Sequence, residues 1–521
     1  MGERKKTRVT ILYDDTRLTG AGIYEITGRK HFGETIFKRK SLRDRTLEMV
    51  SEYDFVSEAI VLKQDNKTGV IISEKETGKD QPGPDRGGNG PVFRLFSDFL
   101  IVDRKEVGIL IEMACYAEEI YRIVSDAAEG GKDKNRAQRA ILPIFSRKAP
   151  EKARPAAVIY PSYETYLSTE DEELKSAEEI VTEALLDLSD IRNFRQFITS
   201  GFDARFFNAL SGDEYTVVKS SVNKEKIRAE YEYYKLLPEE MRMWFAQAFN
   251  YKEDENEASY TMERFHMTDL ALRFVHGAIE EEEFRQLMDK LFFFLLHRKS
   301  REVSEEELSA CRKKLYVDKV EERIEKLKGL AAYAGIEAIL KTASDPGGLD
   351  AILKRYFNLF DHYEKVGLDL DEPCLVVGHG DLCFSNILYN KDANLLRLID
   401  PKGAMSEEEL YTDPYYDLAK LSHSICGSYD YFNSGLFEIS LSEENRLELT
   451  IDEKNETYRR IFREYAEKNF FDYIRIRIYE ASLFLSMLPL HIDRPKKVLG
   501  FILNAEKILD EVCGMLHLGG K

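Results

Sequence analysis

Asp381 and Asn386 stand five residues apart in the stretch His379-Gly380-Asp381-Leu382-Cys383-Phe384-Ser385-Asn386, and Asp400 ends the apolar run Leu395-Leu396-Arg397-Leu398-Ile399. That spacing is the one found in the catalytic loops of phosphoryl-transfer enzymes. A hydroxyl attacking a terminal phosphate needs a carboxylate to orient it and accept its proton, and Asp381 is the candidate. Magnesium bound to a nucleoside triphosphate keeps waters and phosphate oxygens around most of its surface, so its protein ligands are a few hard oxygens from separate segments. Asn386 and Asp400 are the candidate metal ligands. His379 is read as a support of the loop, since Asp381 already accounts for the proton.

Such residues need an upstream element that holds the nucleotide. Lys219 closes the apolar run Tyr215-Thr216-Val217-Val218, where an ammonium can reach the α- and β-phosphates of ATP. Residues 224–237 then turn helical in period, and Glu230 is the carboxylate expected to hold Lys219. Glu232 competes for that role but lies on another face of the same helix. Tyr260-Thr261-Met262-Glu263-Arg264 reads as a strand whose backbone, at Met262 and Glu263, meets an adenine edge. Ser200-Gly201, between two expected strands at Phe194–Thr199 and Ala204–Leu210, is the only candidate phosphate-cradling turn, and it is thin for that work.

In order and type these residues resemble the aminoglycoside phosphotransferase and choline kinase family over residues 192–515. The motifs are His379-Gly380-Asp381 with Asn386, Ile399-Asp400, and Asp413-Pro414-Tyr415-Tyr416-Asp417-Leu418-Ala419. Glycine stands where protein kinases place arginine, and the second acidic ligand follows isoleucine. The resemblance implies an ATP- and magnesium-dependent transfer to a hydroxyl of a small molecule, with choline-like alcohols, sugars and aminoglycosides as candidate acceptors. It implies Asp381 as base, Asn386 and Asp400 as magnesium ligands, and Asp417 as a brace of the loop from the following helix. The Ile399-Asp400-Pro401-Lys402-Gly403 phrase is closer to phosphotransferases associated with surface polysaccharides than to resistance kinases.

The expected fold class is α+β. A bilobal protein-kinase-like domain, with a small antiparallel sheet lobe at 192–276 and a large helical lobe at 277–521, follows a separate α/β or α+β domain at 1–165 and a helical linker at 166–191. The first third reads as strands at Val9–Tyr13, Gly69–Ser73, Val92–Val102 and Val107–Ile111, a Gly/Pro-rich loop at 81–90 and a basic stretch at 129–155. Ile180, Val181, Ala184, Leu185 and Leu188 follow a helical stripe. Asp14-Asp15 and Ser97-Asp98 are candidate metal or phosphate groups for a second site, although turn and cap roles explain them more cheaply. An N-terminal nucleotidyl- or glycosyl-transfer step is therefore one alternative. A catalytically inactive nucleotide-sensing scaffold is the other.

The chain has 521 residues, is 43% hydrophobic and carries a formal charge of −19, which excludes a general nucleic-acid or anionic-membrane binder and favours cationic substrates. Six scattered cysteines without a C-x-x-C pair point to reduced thiols and, with no signal segment, to a cytoplasmic location. Tyr411, Tyr415, Tyr416, Tyr429, Tyr431 and Phe432 are a possible cage for a quaternary ammonium, with core packing the simpler role. His423 is read as a core or surface histidine. Glu280-Glu281-Glu282-Glu283 reads as a solvated helix face.

Overall fold

The computed structural model describes residues 8–37, 40–64, 71–78, 90–125, 154–198, 210–212, 215–343, 348–366, 373–451, 453 and 455–517. The chain is α+β and divides into two compact units, 1–206 and 207–521. No helix among the described residues is long and apolar enough to cross a membrane.

The first unit is built on a seven-stranded sheet. Its strands are Val9–Asp15 (β1), Val56–Gln64 (β2), Ile71–Gly78 (β3), Val92–Phe96 (β4), Tyr121–Ser125 (β5), Pro155–Tyr160 (β6) and Glu178–Thr182 (β7), in the order β7-β5-β6-β4-β1-β2-β3. β1 is parallel to both neighbours, and its Val9, Ile11, Leu12 and Tyr13 are buried, as a strand covered on both faces requires. Four runs differ from the sequence reading, the first being Val92–Val102, which is split into β4 and a second strand, Phe99–Ile101, in another sheet. Val107–Ile111 is helical, within Arg104–Ala114 (α1), because Val107, Leu110, Ile111 and Ala114 recur at helical spacing and Asp103 caps the Lys105 and Glu106 amides. Ile180–Leu188 is extended instead: β7 pairs with β5, and Leu185–Asp187 pairs with Phe99–Ile101, so sheet pairing overrides a helical stripe. Phe194 and Phe197 lie on the helix Ile191–Ile198 (α2), where they meet Phe32 and Phe37 of the same unit.

The second unit opens with a four-stranded antiparallel sheet: Leu210–Gly212 (β8), Thr216–Ser221 (β9), Ala248–Glu253 (β10) and Ala258–Glu263 (β11), in the order β8-β9-β11-β10. Lys224–Leu236 (α3) follows β9, capped by Asn223, whose side chain accepts from the Lys226 amide at 3.1 Å. Helices dominate from Glu281–Leu296 (α4) onward. A short hairpin, Ile387–Asn390 (β12) with Leu395–Leu398 (β13), interrupts them, and Tyr415–Ile425 (α5), Tyr429–Asn433 (α6), Tyr473–Met487 (α7) and Pro495–Met515 (α8) follow. Buried Leu418, Leu421 and Ile425 fix the inward face of α5, each contributing about 1.5–3 kcal/mol. All six cysteines are free.

Candidate active site

Lys219 ends up between two carboxylates. From β9, directly opposite Tyr260 on β11, its Nζ donates to Glu230 Oε2 at 2.7 Å and to Asp400 Oδ1 at 2.8 Å. Burial lowers the ammonium's pKa, but the Asp400 and Glu230 charges outweigh it and hold the pKa above the ordinary lysine value. Glu230 is buried on α3 and also accepts from the Tyr260 hydroxyl at 3.1 Å. Glu232 instead meets Lys235, at 3.1 Å, on the outer face.

The β12–β13 hairpin brings the two candidate metal ligands together. Ile387 pairs with Leu398, and one step further out the Ile399 amide donates to the Asn386 carbonyl at 3.0 Å, so Asn386 and Asp400 leave the same end of one ladder. Asp400 has φ 55, a left-handed conformation that non-glycine residues adopt at a cost and that clusters at functional sites. Pro401-Lys402-Gly403 then docks on α3: the Ala404 amide donates to the Ala229 carbonyl at 3.0 Å. A Cβ on Gly403, which has φ 91, would meet the Glu230 amide nitrogen at 3.0 Å. The segment after Asp400 is therefore seated on the helix that carries Glu230.

Asp381 is held from three sides. Asn386 Nδ2 donates to its Oδ2 at 3.0 Å and to its carbonyl at 2.9 Å, and Lys420 Nζ on α5 lies 2.9 Å from its Oδ1. Burial raises the carboxyl's pKa, yet Lys420 and the Asn386 hydrogen bond more than offset it and bring it below the ordinary value. The same pairing pushes Lys420 upward against its own burial. His379 Nε2 faces the Ile399 carbonyl at 2.9 Å, and its Nδ1 faces the Asp381 amide at 3.2 Å. A carbonyl only accepts and an amide only donates, so the ring is neutral with its proton on Nε2. Burial depresses the His379 pKa, which agrees. Packing against Phe245, with ring centroids 5.8 Å apart, completes its support of the loop.

Asp417 sits on α5, fully buried. Its carboxylate accepts from the His379 and Gly380 amides, each at 2.9 Å, and from Arg298 Nη1 at 3.0 Å. Asp413 anchors the start of the same helix through Arg312 at 2.7 Å and the Tyr415 amide at 2.8 Å. α5 thus holds the loop's backbone through Asp417 and the loop's carboxylate through Lys420. Sequence reasoning missed Lys420. Its signal was a lysine three residues after Asp417, hence on the same helix face.

Other sequence-predicted groups fall differently. Met262 and Glu263 belong to the central strand β11, and the Glu263 amide donates to the Gln247 carbonyl at 3.1 Å, so that donor is committed to the sheet. Ser200 and Gly201 lie outside the described residues, as do the loop at 81–89 and the basic stretch up to 153. The six aromatic residues do not converge on a cage: Tyr431 packs on Phe274, Phe432 on Phe437, and Tyr416 on Tyr316. His423 is buried, stacked on Tyr429, with neither ring nitrogen hydrogen-bonded. Glu283, expected to face solvent, is buried and bonded to Arg273 at 3.0 Å. In the first unit, Asp14 is held by Arg94 at 2.7 Å and Asp98 by Arg17 at 2.9 Å and Arg154 at 3.1 Å, and the Asp15 side chain accepts from the Gly33 amide at 2.9 Å. Among the described residues no cluster of three or more His, Cys, Asp or Glu has the geometry to hold a metal ion.

No protein-family model matches the chain, and no curated protein matches it by sequence. Among solved structures it is similar to a thermostable mutant of aminoglycoside phosphotransferase APH(4)-Ia, at 11% identity over 60% of this chain and 98% of that one, with a TM-score of 0.34. It is also similar to aminoglycoside-3'-phosphotransferase of type VIII, at 15% identity over 58% of this chain and 88% of that one (TM-score 0.31). A third is the GDP complex of aminoglycoside 2'-phosphotransferase-IIIa, at 15% identity over 59% and 92% (TM-score 0.33). What the site can do follows from its own geometry.

Proposed function

We propose that residues 207–521 transfer the γ-phosphate of ATP to a hydroxyl of a small molecule. The observation that carries this is the position of Lys219, 2.8 Å from Asp400, which joins the sheet that supplies the lysine to the hairpin that supplies Asn386 and Asp400. In this reading Lys219, fixed by Glu230, meets the phosphates of ATP. Asp381 accepts a hydrogen bond from the acceptor hydroxyl and takes its proton as the oxygen bonds to the γ-phosphorus and the bond from that phosphorus to the β,γ-bridging oxygen breaks. Lys420 keeps Asp381 ionised, and Asp417 fixes the loop on which Asp381 stands.

The residues fit magnesium. Asn386 spends its Nδ2 on Asp381, which leaves its Oδ1 as a hard donor, and Asp400 gives one oxygen to Lys219 and retains the other. Two such oxygens from separate segments match an ion that keeps its waters and phosphates, and bound magnesium supplies neutralising charge to the phosphate oxygens. Incubation with γ-labelled ATP and pooled choline, ethanolamine, sugars and aminoglycosides tests the proposal. Label appearing on an alcohol supports it, and label found only in inorganic phosphate or left on ATP refutes it.

A further inference from the structure

We propose that the acceptor carries an anionic group, a phosphate monoester or a carboxylate, which Lys319 and Lys402 receive beside Asp381. This rests on the phosphotransfer reading above. It reverses what the overall charge of −19 leads one to expect, because Lys402 runs along Gly380, next to Asp381, and Lys319 reaches Tyr416 on the helix that carries Lys420.

Tyr416 and Lys420 are four residues apart on α5 and so share a face, and Lys420 is 2.9 Å from Asp381. Lys319, from the helix Lys319–Lys328, donates to the Tyr416 hydroxyl at 3.0 Å, its Nζ 5.4 Å from the ring centroid. Lys402, in the segment after Asp400, packs against the loop that carries Asp381: its amide donates to the His379 carbonyl at 2.9 Å, and a Cβ on Gly380 would stand 2.6 Å from the Lys402 Cβ. Burial raises the Tyr416 pKa, but the charges of Lys420, Lys319 and Lys402 hold it below the ordinary phenol value.

Lys420 already has Asp381. Among the described residues no carboxylate lies within ion-pair distance of Lys319 or Lys402, although the chain holds 94 acidic residues against 75 basic ones. Lys402 is exposed and Lys319 half-buried, so a solute can reach both. An ammonium on the acceptor would approach Lys319 and Lys402 as like charges, whereas an anion would find two cations that no carboxylate among the described residues neutralises.

The test is direct binding to the full-length protein with a non-hydrolysable ATP analogue present, by calorimetry. The probes are sugar 6-phosphates and uronates, each matched to its parent sugar, with choline and kanamycin as cations. At least one anionic probe is expected to bind tenfold or more tighter than its parent sugar and than either cation, and which arm binds decides between phosphate and carboxylate. Lys319→Met and Lys402→Met should each erode that preference by about tenfold without changing affinity for the ATP analogue, and Lys402→Arg should restore it. Equal binding of parent sugar or cation, binding by none of the anions, or lysine variants that weaken the nucleotide instead would overturn the proposal. Because the readout is binding, it stands apart from the label-transfer assay, which tests the phosphotransfer reading.

Discussion

In the proposed transfer, the ion pair between Asp381 and Lys420 sets the protonation state of the base. With Lys420 in place the Asp381 carboxylate ionises below its ordinary range, so the acid limb of the rate profile should lie well below neutrality. Lys420→Met removes the largest charge opposing burial and leaves the Asn386 hydrogen bond, and the acid limb of kcat/KM should move up in pH. A profile of kcat/KM against pH from 4 to 8 checks this, and an unmoved limb would contradict it. Lys219→Met leaves Glu230 and Asp400 facing each other without their shared cation and should lower kcat on the order of 10²-fold, measured at saturating ATP. At this scale Lys219, Glu230, Asp381, Asn386, Asp400 and Asp417 were legible because each stands in a spaced motif. Lys420, Lys319 and Lys402 were not, because their contacts with Asp381, Tyr416 and Gly380 come from segments far apart in the chain, which no local spacing records.

The elements show where sequence pattern suffices and where it does not. α3 forms as its periodicity predicts, but Val107–Ile111, Ile180–Leu188 and Phe194–Ile198 each adopt the other structure. All three are short apolar runs compatible with either period, and capping by Asp103 or pairing with a neighbouring strand decides among them. The catalytic loop depends on one residue without a side chain: Gly380 has φ 78, and a Cβ there would overlap Lys402. Gly380→Ala should therefore lower the melting temperature by several degrees, equivalent to about 1–3 kcal/mol, as read by differential scanning calorimetry. On α6, burial raises the Asp430 carboxyl to about 7, with Asp269 adding to the shift and Ser424 and Lys497 opposing it. The folded protein then binds a proton that the unfolded chain releases near pH 4, so stability falls as pH rises between those values. Asp430→Asn cannot ionise and should be more stable than the parent at pH 8, by at most about 4 kcal/mol, while matching it near pH 4.

Across the molecule, the groups assigned to transfer lie between Lys219 and Lys420, inside the compact unit 207–521, and the first unit has its own core around β1. Residues 207–521 expressed alone should keep label transfer within about twofold of the full chain, and calorimetry of the full chain should show one transition raised by nucleotide and one left unmoved. Equal movement of both transitions would tie the units together. The α+β character was legible in the sequence, whereas the sheet order of the first unit was not, since its central strand pairs with partners about 48 and 82 residues away. The most direct measurement of the central claim is transfer of γ-labelled phosphate from ATP to an alcohol by the full chain and by its Asp381→Asn variant, under conditions where both bind ATP. The account predicts transfer by the parent and a rate lower by about 10²–10⁴-fold in the variant. Transfer by the variant at the parental rate would contradict it.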